Sequence, residues 1–185
     1  MNPFLISVTV VALAEIGDKT QLLSLLLAAR FRKPVPIILG IFVATIFNHA
    51  LAGLVGEWIS RAVGPNFIRW GVGISFLVIA AWTLKPDKLD DDDAAKSHGS
   101  VFFISLVSFF LAEMGDKTQI ATVLLAAKFH ALYAVVLGTT VGMMIANVPA
   151  VLLGKVAANR IPFKAVRYVA AGLFAALGLL ALMAG

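Results

Sequence analysis

Within an otherwise apolar stretch the chain reads Glu15-Ile16-Gly17-Asp18-Lys19-Thr20, and 98 residues later it reads Glu113-Met114-Gly115-Asp116-Lys117-Thr118. Ten or more mostly apolar residues flank each hexapeptide on both sides, so both are expected to lie near the middle of a membrane. A charged residue at the centre of a membrane helix costs about 2.5–3.5 kcal/mol on insertion scales. Ionisable groups kept there despite that cost are candidates for a functional site.

The composition excludes a water-soluble protein. Of 185 residues, 61% are hydrophobic and 14% are charged, with a mean hydropathy of +0.96, whereas soluble domains average about 45–50% apolar and 25% charged residues. The absence of cysteine excludes disulfides and thiolate metal sites. The net charge is +5, but the basic residues stand at the ends of apolar runs. They therefore indicate orientation in a membrane, and no nucleic-acid partner is expected.

Six apolar segments are predicted to be helices that span the bilayer, which takes about 20 residues each. The predicted fold class is thus an all-α integral membrane protein with six transmembrane helices, forming one domain over residues 1–185. The segments are 4–29, 35–56, 67–84, 101–127, 132–153 and 164–184.

The second half of the chain repeats the first half. With an offset of 98 residues and no gap, the hexapeptides align together with flanking residues such as Gly40 and Gly138. These two glycines belong to rows of small residues, which let helix backbones approach closely. Each repeat, 4–84 and 101–184, holds three predicted helices, and an odd number inverts the second repeat relative to the first. Such inverted repeats are typical of secondary transporters with a site near the midplane.

The distribution of Lys and Arg predicts the orientation. Ten basic residues fall in loops on one side, and only Arg61, Arg69 and Lys128 fall on the other. The positive-inside rule places the ten in the cytoplasm. Both termini are then expected outside, and the acidic linker 85–99 between the repeats is expected in the cytoplasm.

The hexapeptides predict a site for a divalent cation. In a continuous helix, Glu15 and Asp18 share a face and Lys19 can pair with Glu15. Gly17 permits a kink or a short unwound stretch. Inversion brings the second hexapeptide opposite the first, and oxygen-rich clusters suit Ca²⁺, Mg²⁺ and Mn²⁺. The predicted metal-binding carboxylates are those of Glu15, Asp18, Glu113 and Asp116.

Other polar residues complete the predicted site. Lys19 and Lys117 balance two of the four negative charges, and the remaining two match one divalent cation, so two protons are predicted to compete with one metal ion. Asn48 and Asn147 are candidates for ligands or a gate, with interhelical hydrogen bonding as the alternative. His49 is a candidate metal ligand, proton relay or hydrogen-bonded packing residue. The further possible ligands are Thr20, Thr118, Gln21, Gln119 and Met114.

Two copies of E-x-G-D-K-T about one hundred residues apart, in a chain with six apolar segments and an acidic central linker, resemble the GDT family of cation/proton exchangers. This family includes Golgi and chloroplast manganese/calcium transporters and bacterial manganese exporters, and the small size of the chain resembles the bacterial branch. The resemblance covers essentially the whole chain, and the motif acids carry over to Glu15, Asp18, Glu113 and Asp116.

The resemblance implies exchange of Mn²⁺, Ca²⁺ or both for protons, and the bacterial branch implies efflux of Mn²⁺ across the inner (plasma) membrane. The metal ion is a substrate, and no cofactor is expected. The implied partners are the divalent ion, protons and the lipid bilayer, without an obligatory protein partner.

The residues alone leave other functions open. Paired acids also bind amines, so an exporter of a cationic or zwitterionic organic solute is an alternative. A passive divalent-cation channel predicts flux without proton coupling, and a structural membrane protein predicts that the acids can be neutralised without loss of function. An enzyme is not expected, because the chain has no H-E-x-x-H motif, no serine–histidine arrangement and no cysteine.

Overall fold

A computed structural model describes residues 2–85, 99–153 and 163–183 of the chain. Residues 86–98, nearly all of the predicted acidic linker, lie outside this description. All elements of the described residues are α-helices. They are α1 (Pro3–Glu15), α2 (Lys19–Phe31), α3 (Pro34–Ala62), α4 (Pro65–Thr83), α5 (Val101–Glu113), α6 (Lys117–Phe129), α7 (Leu132–Leu153) and α8 (Phe163–Met183).

Four of these helices are long and apolar enough to cross a membrane, namely α3, α4, α7 and α8. They correspond to four of the six predicted segments, and α7 has the predicted bounds 132–153. The shorter helices α1 and α5 are also apolar. The described part of the chain is therefore all-helical and includes four candidate membrane spans, as expected from its apolar composition.

The first and the fourth predicted segments each consist of two helices, so the prediction of one continuous helix was wrong for both. α1 ends at Glu15 and α2 begins at Lys19, and the same break separates α5 from α6. Gly17 and Gly115 have positive φ angles of 83° and 74°, which cost glycine little because it has no Cβ. Asp18 is extended and caps α2 by accepting a hydrogen bond from the Lys19 amide at 2.7 Å. Of the kink and the short unwound stretch that Gly17 permits, the structure has the unwound stretch.

The helices of one half pack against those of the other half. The most extensive contacts join α1 to α7, α4 to α8 and α3 to α5. A Cβ built on Gly138 would lie 2.6 Å from the carbonyl oxygen of Phe4, and one on Gly40 would lie 2.7 Å from that of Phe102. The predicted close approach of helix backbones is therefore present. It occurs twice in equivalent places, since Gly40 and Gly138 lie 98 positions apart, and so do Phe4 and Phe102.

Replacing Gly138 by alanine is expected to lower the free energy of unfolding by about 1–3 kcal/mol, because the added methyl group meets the Phe4 backbone and the Cβ of Ser7 rather than the movable end of a side chain. The melting temperature in detergent should fall by several degrees. Gly172→Ala is the matched control, since a Cβ there has no neighbour within 4 Å among the described residues. Equal melting temperatures for the two variants would contradict this account of the α1–α7 contact.

Candidate metal centre

Three carboxyl groups from the two hexapeptides meet in the interior of the molecule. One oxygen from each of Glu15, Glu113 and Asp116 lies within 4.8 Å of the other two. Glu15 and Glu113 are fully buried, and Asp116 is 2% exposed. The convergence of acids from both halves follows from the packing described above, which brings the α1–α2 break and the α5–α6 break together.

The two glutamates occupy equivalent positions at helix ends. Glu15 is the last residue of α1 and Glu113 is the last residue of α5. The C-terminal end of a helix carries partial negative charge, so both ends favour a cation. Half-helix ends serve the same purpose in transporters that have broken membrane helices.

One oxygen of each glutamate is held by a threonine. The Thr20 hydroxyl donates a hydrogen bond to Oε1 of Glu15 at 2.7 Å, and the Thr118 hydroxyl donates to Oε1 of Glu113. Oε2 of both glutamates is buried and accepts no hydrogen bond from the described residues. Buried acceptors without a partner are costly. A cation bound at the cluster would give such oxygens a partner.

The two lysines pair with aspartates of the opposite half. The Lys117 Nζ lies 2.9 Å from Oδ2 of Asp18, and the Lys19 Nζ lies 3.6 Å from Oδ1 of Asp116. The first pair is almost completely buried, whereas the Lys19 side chain is 24% exposed. Lys117 thus neutralises Asp18 at short range. Asp116 has the longer ion pair and is therefore the aspartate more available to bind a cation.

The sequence-based pairing of Lys19 with Glu15 was wrong. It assumed a helix running through residues 15–19, in which these side chains lie one turn apart. The helix ends at Glu15 instead, so helical spacing does not apply, and Lys19 reaches Asp116 in the other half.

Gln21 and Gln119 hold the breaks in place. The Gly17 amide donates to Oε1 of Gln21 at 2.8 Å, and the Gly115 amide donates to Oε1 of Gln119 at 2.7 Å. The side-chain amide of Gln21 donates to the carbonyl oxygen of Ala146 on α7 at 3.0 Å. These glutamines were predicted as possible metal ligands. In the structure their side-chain oxygens instead accept hydrogen bonds from backbone amides of the two breaks.

The two asparagines join helices to one another. Asn48 donates to the carbonyl oxygen of Phe110 at 3.1 Å, and its own oxygen accepts a 3.4 Å hydrogen bond from Gln119. The oxygen of Asn147 accepts a 2.8 Å hydrogen bond from Ser24. These are the interhelical hydrogen bonds named as the alternative to a ligand or gate role. Ser24 was not predicted, although a polar residue buried on an apolar helix is a usable signal.

Two other predicted residues, Met114 and His49, are not members of the group of three carboxylates. The Met114 side chain is 55% exposed, so its thioether does not join the buried cluster. His49 is fully buried, and neither of its ring nitrogens forms a hydrogen bond with the described residues. The hydrogen-bonded packing role considered for His49 is therefore not observed.

The charges of the cluster suit one hard divalent cation. Four carboxylates and two ammonium groups lie in or against it, which leaves two negative charges. Carboxylate oxygens are the ligands that Mg²⁺, Ca²⁺ and Mn²⁺ prefer. The described residues thus provide oxygen ligands, a matching charge and burial at the junction of the two halves.

The comparisons with known proteins identify the family. The model of the family described as "Divalent cation/proton antiporter GDT1" matches residues 3–91 and 101–185. The chain belongs to this family. The GDT1 family is one of transporters, so the chain is not an enzyme, as predicted, and the resemblance read from the two hexapeptides is confirmed.

Proteins similar to this chain match it over most of its length. A Vibrio cholerae protein named "Putative manganese exporter" is 53% identical over 94% of this chain and 87% of its own length. A GDT1-like protein of Synechocystis is 28% identical, covering 94% of this chain and 93% of its own length. The Saccharomyces cerevisiae protein named "Divalent cation/proton antiporter GDT1" is 24% identical over 94% of this chain and 81% of its own length. No solved structure matches the chain significantly.

Proposed function

We propose that this chain is a secondary active transporter that exports Mn²⁺ from the cytoplasm in exchange for protons, with Ca²⁺ as a second substrate. The observation that carries the proposal is the meeting of the Glu15, Glu113 and Asp116 carboxyl groups within 4.8 Å at the junction of the two halves. Family membership supports exchange of a divalent cation for protons. The name of the Vibrio cholerae relative supports manganese and the outward direction.

The proposed binding step uses the free oxygen of each glutamate. Oε2 of Glu15 and Oε2 of Glu113 bind the metal ion, and Asp116 supplies the third carboxylate. Lys117 lies 2.9 Å from Asp18 and neutralises it. The negative charge that remains in the cluster is therefore enough for one divalent ion and not for two. Lys19 lies 3.6 Å from Asp116 and balances a further charge, which leaves the two negative charges that one divalent ion requires.

Proton coupling follows from competition for the same oxygens. When the metal ion leaves, the clustered carboxylates in a medium of low dielectric constant repel one another, and protons relieve that repulsion. Two protons replace the charge of one M²⁺ ion. Protons and the metal ion therefore occupy the site alternately, which is the requirement for exchange.

The proposed architecture is six transmembrane segments in two inverted repeats, 4–84 and 101–184. The broken pairs α1–α2 and α5–α6 each form one segment. The reciprocal Gly40 and Gly138 contacts support a two-fold relation between the repeats, as does the stacking of Phe76 on Phe174, which are themselves 98 residues apart. Rocking of one repeat against the other exposes the site to each side in turn.

The proposed location is the plasma membrane, with both termini outside and the linker 85–99 in the cytoplasm. The count of ten basic residues against three supports this orientation. In this orientation the carboxylates load Mn²⁺ from the cytoplasm and release it outside, where incoming protons displace it.

Reconstitution of the full chain into proteoliposomes tests the proposal. With an imposed pH gradient, Mn²⁺ is expected to move uphill against the proton flow, Ca²⁺ less efficiently and Mg²⁺ least. Collapsing the gradient with a protonophore should stop uphill movement. Mn²⁺ flux that ignores the gradient would identify a channel. An absence of metal flux, with transport of an amine solute, would identify an organic-cation exporter. Either result would overturn the proposal.

A further inference from the structure

A cavity lies among the helix ends, and none of the residues of the carboxylate cluster lines it. It has a volume of about 330 Å³ and is lined by the ends of α3, α4, α6 and α8. Three basic side chains line it, those of Arg69, Lys128 and His130, and no acidic residue is among the described residues that line it. We call it the cationic pocket. Its charge is opposite to that expected on a path for metal ions or protons, so it does not belong to the exchange site.

The basic groups of the cationic pocket have no anionic partner among the described residues. Nε of Arg69 is buried and has no hydrogen-bond partner among the described residues. No described carboxylate forms an ion pair with Arg69 or with the partly buried Lys128. The pocket also includes Pro65 in the first turn of α4, where Gly64 offers no side chain to cap the helix. Helix N-termini attract anions, so all these features favour a negatively charged group.

An apolar groove continues from the cationic pocket along α4 and α6. This groove, of about 210 Å³, shares Val63, Ile68 and Val72 with the pocket and runs past Phe67 to Ser75. The distance from Phe67 to Ser75 along the helix is about 12 Å at 1.5 Å per residue. Phe67 is 76% exposed, and α4 is one of the helices able to cross a membrane. The groove therefore opens on the lipid-facing surface.

The geometry points to a binding site for one anionic phospholipid, with its phosphate headgroup in the cationic pocket and part of an acyl chain in the apolar groove. A free phosphate ion would use only the pocket, and an uncharged lipid would use only the groove. The continuity of the two cavities selects a molecule with both parts. Only three basic residues are predicted on the outward-facing side of the molecule, namely Arg61, Arg69 and Lys128. The lipid site gives a role to two of them, Arg69 and Lys128. The inference is independent of the proposed transport function.

The experiment measures lipid binding to the purified full chain in detergent, by native mass spectrometry and by the shift in melting temperature. The probes are phosphatidylglycerol, phosphatidylcholine and inorganic phosphate. Phosphatidylglycerol is expected to bind and stabilise the protein more than either other probe. Removal of one cation, by Arg69→Gln or by Lys128→Gln, should weaken binding about fivefold, since one basic residue near a membrane surface contributes about 1 kcal/mol.

A third variant tests the groove separately from the pocket. A Cβ on Gly71, which lines the groove, has no neighbour within 4 Å, so Gly71→Leu fills the groove without a clash at Cβ. It should weaken phosphatidylglycerol binding while leaving the response to inorganic phosphate unchanged. The matched controls are Arg61→Gln, which removes a basic residue outside the pocket, and Gly172→Leu, which adds the same side chain at another open glycine. Both should bind like the wild type.

Three results would overturn the lipid site. The first is equal binding of phosphatidylcholine and phosphatidylglycerol, which would remove the role of headgroup charge. The second is a full response to inorganic phosphate with no effect of Gly71→Leu, which would indicate a simple anion site. The third is weakening by Arg61→Gln equal to that by Lys128→Gln, which would indicate attraction by net charge alone.

Discussion

Glu113→Gln is expected to abolish the proposed proton-driven Mn²⁺ uptake into proteoliposomes, because it removes one of three converging carboxylates while keeping the shape of the side chain. The amide oxygen still accepts the Thr118 hydrogen bond, so the helix end and the break are retained. The negative charge of the cluster falls from two to one and no longer matches a divalent ion. We expect a loss larger than the roughly 10–100-fold typical of residues that merely support metal ligands.

Glu15→Gln should have the same effect, since Glu15 occupies the equivalent helix end and has the equivalent threonine partner. The control is Glu57→Gln, which removes an acid that pairs with Arg61 away from the cluster, and it should transport normally. Melting temperatures of all three variants should lie close to that of the wild type. Partial and additive losses in Glu15→Gln and Glu113→Gln would contradict a single shared site, because they would indicate two separate ones.

The positions of most apolar helices could be predicted, because the hydropathy of a segment depends only on the residues within it. The segment 132–153 coincides with α7, and 67–84 differs from α4 by one or two residues. The helix ends within the first and the fourth segments were not predicted. In the first segment only Ile16, Gly17 and Asp18 separate the two helices, and three residues change the mean hydropathy of a long apolar segment too little to reveal a break. Only the glycine signalled an unwound stretch there.

The residues of the candidate site could be predicted more reliably than their partners. The doubled hexapeptide pointed to the three acids that meet in the structure, because charged residues are rare in apolar segments. It also pointed to Asp18, which lies outside that group of three and pairs with Lys117. The partners of Lys19 and Lys117 depend on how the two halves pack, and sequence spacing reports only neighbours along one helix. The role of Gln21 was also missed. A glutamine four residues after the motif glycine occurs in both halves, and its side-chain oxygen accepts a hydrogen bond from the amide of that glycine.

Lys117→Gln is expected to be the most destabilising single change in the cluster. It removes the ammonium group that lies 2.9 Å from Oδ2 of Asp18, in a pair that is almost completely buried. Removal of one partner of a buried ion pair typically costs about 3–5 kcal/mol, so the melting temperature in detergent should fall by on the order of 10 °C. Lys19→Gln is the matched comparison and should cost much less, because its pair is longer and its side chain is 24% exposed.

The double variant Lys117→Gln/Asp18→Asn distinguishes an ion pair from a packing defect. Neutralising both partners removes the unbalanced buried charge, so the double variant should recover most of the stability lost in Lys117→Gln. Additive losses would mean that Lys117 acts through its volume rather than its charge. A larger loss for Lys19→Gln than for Lys117→Gln would contradict the asymmetry of the two pairs, and with it the argument that Asp116 rather than Asp18 faces the metal ion in this conformation.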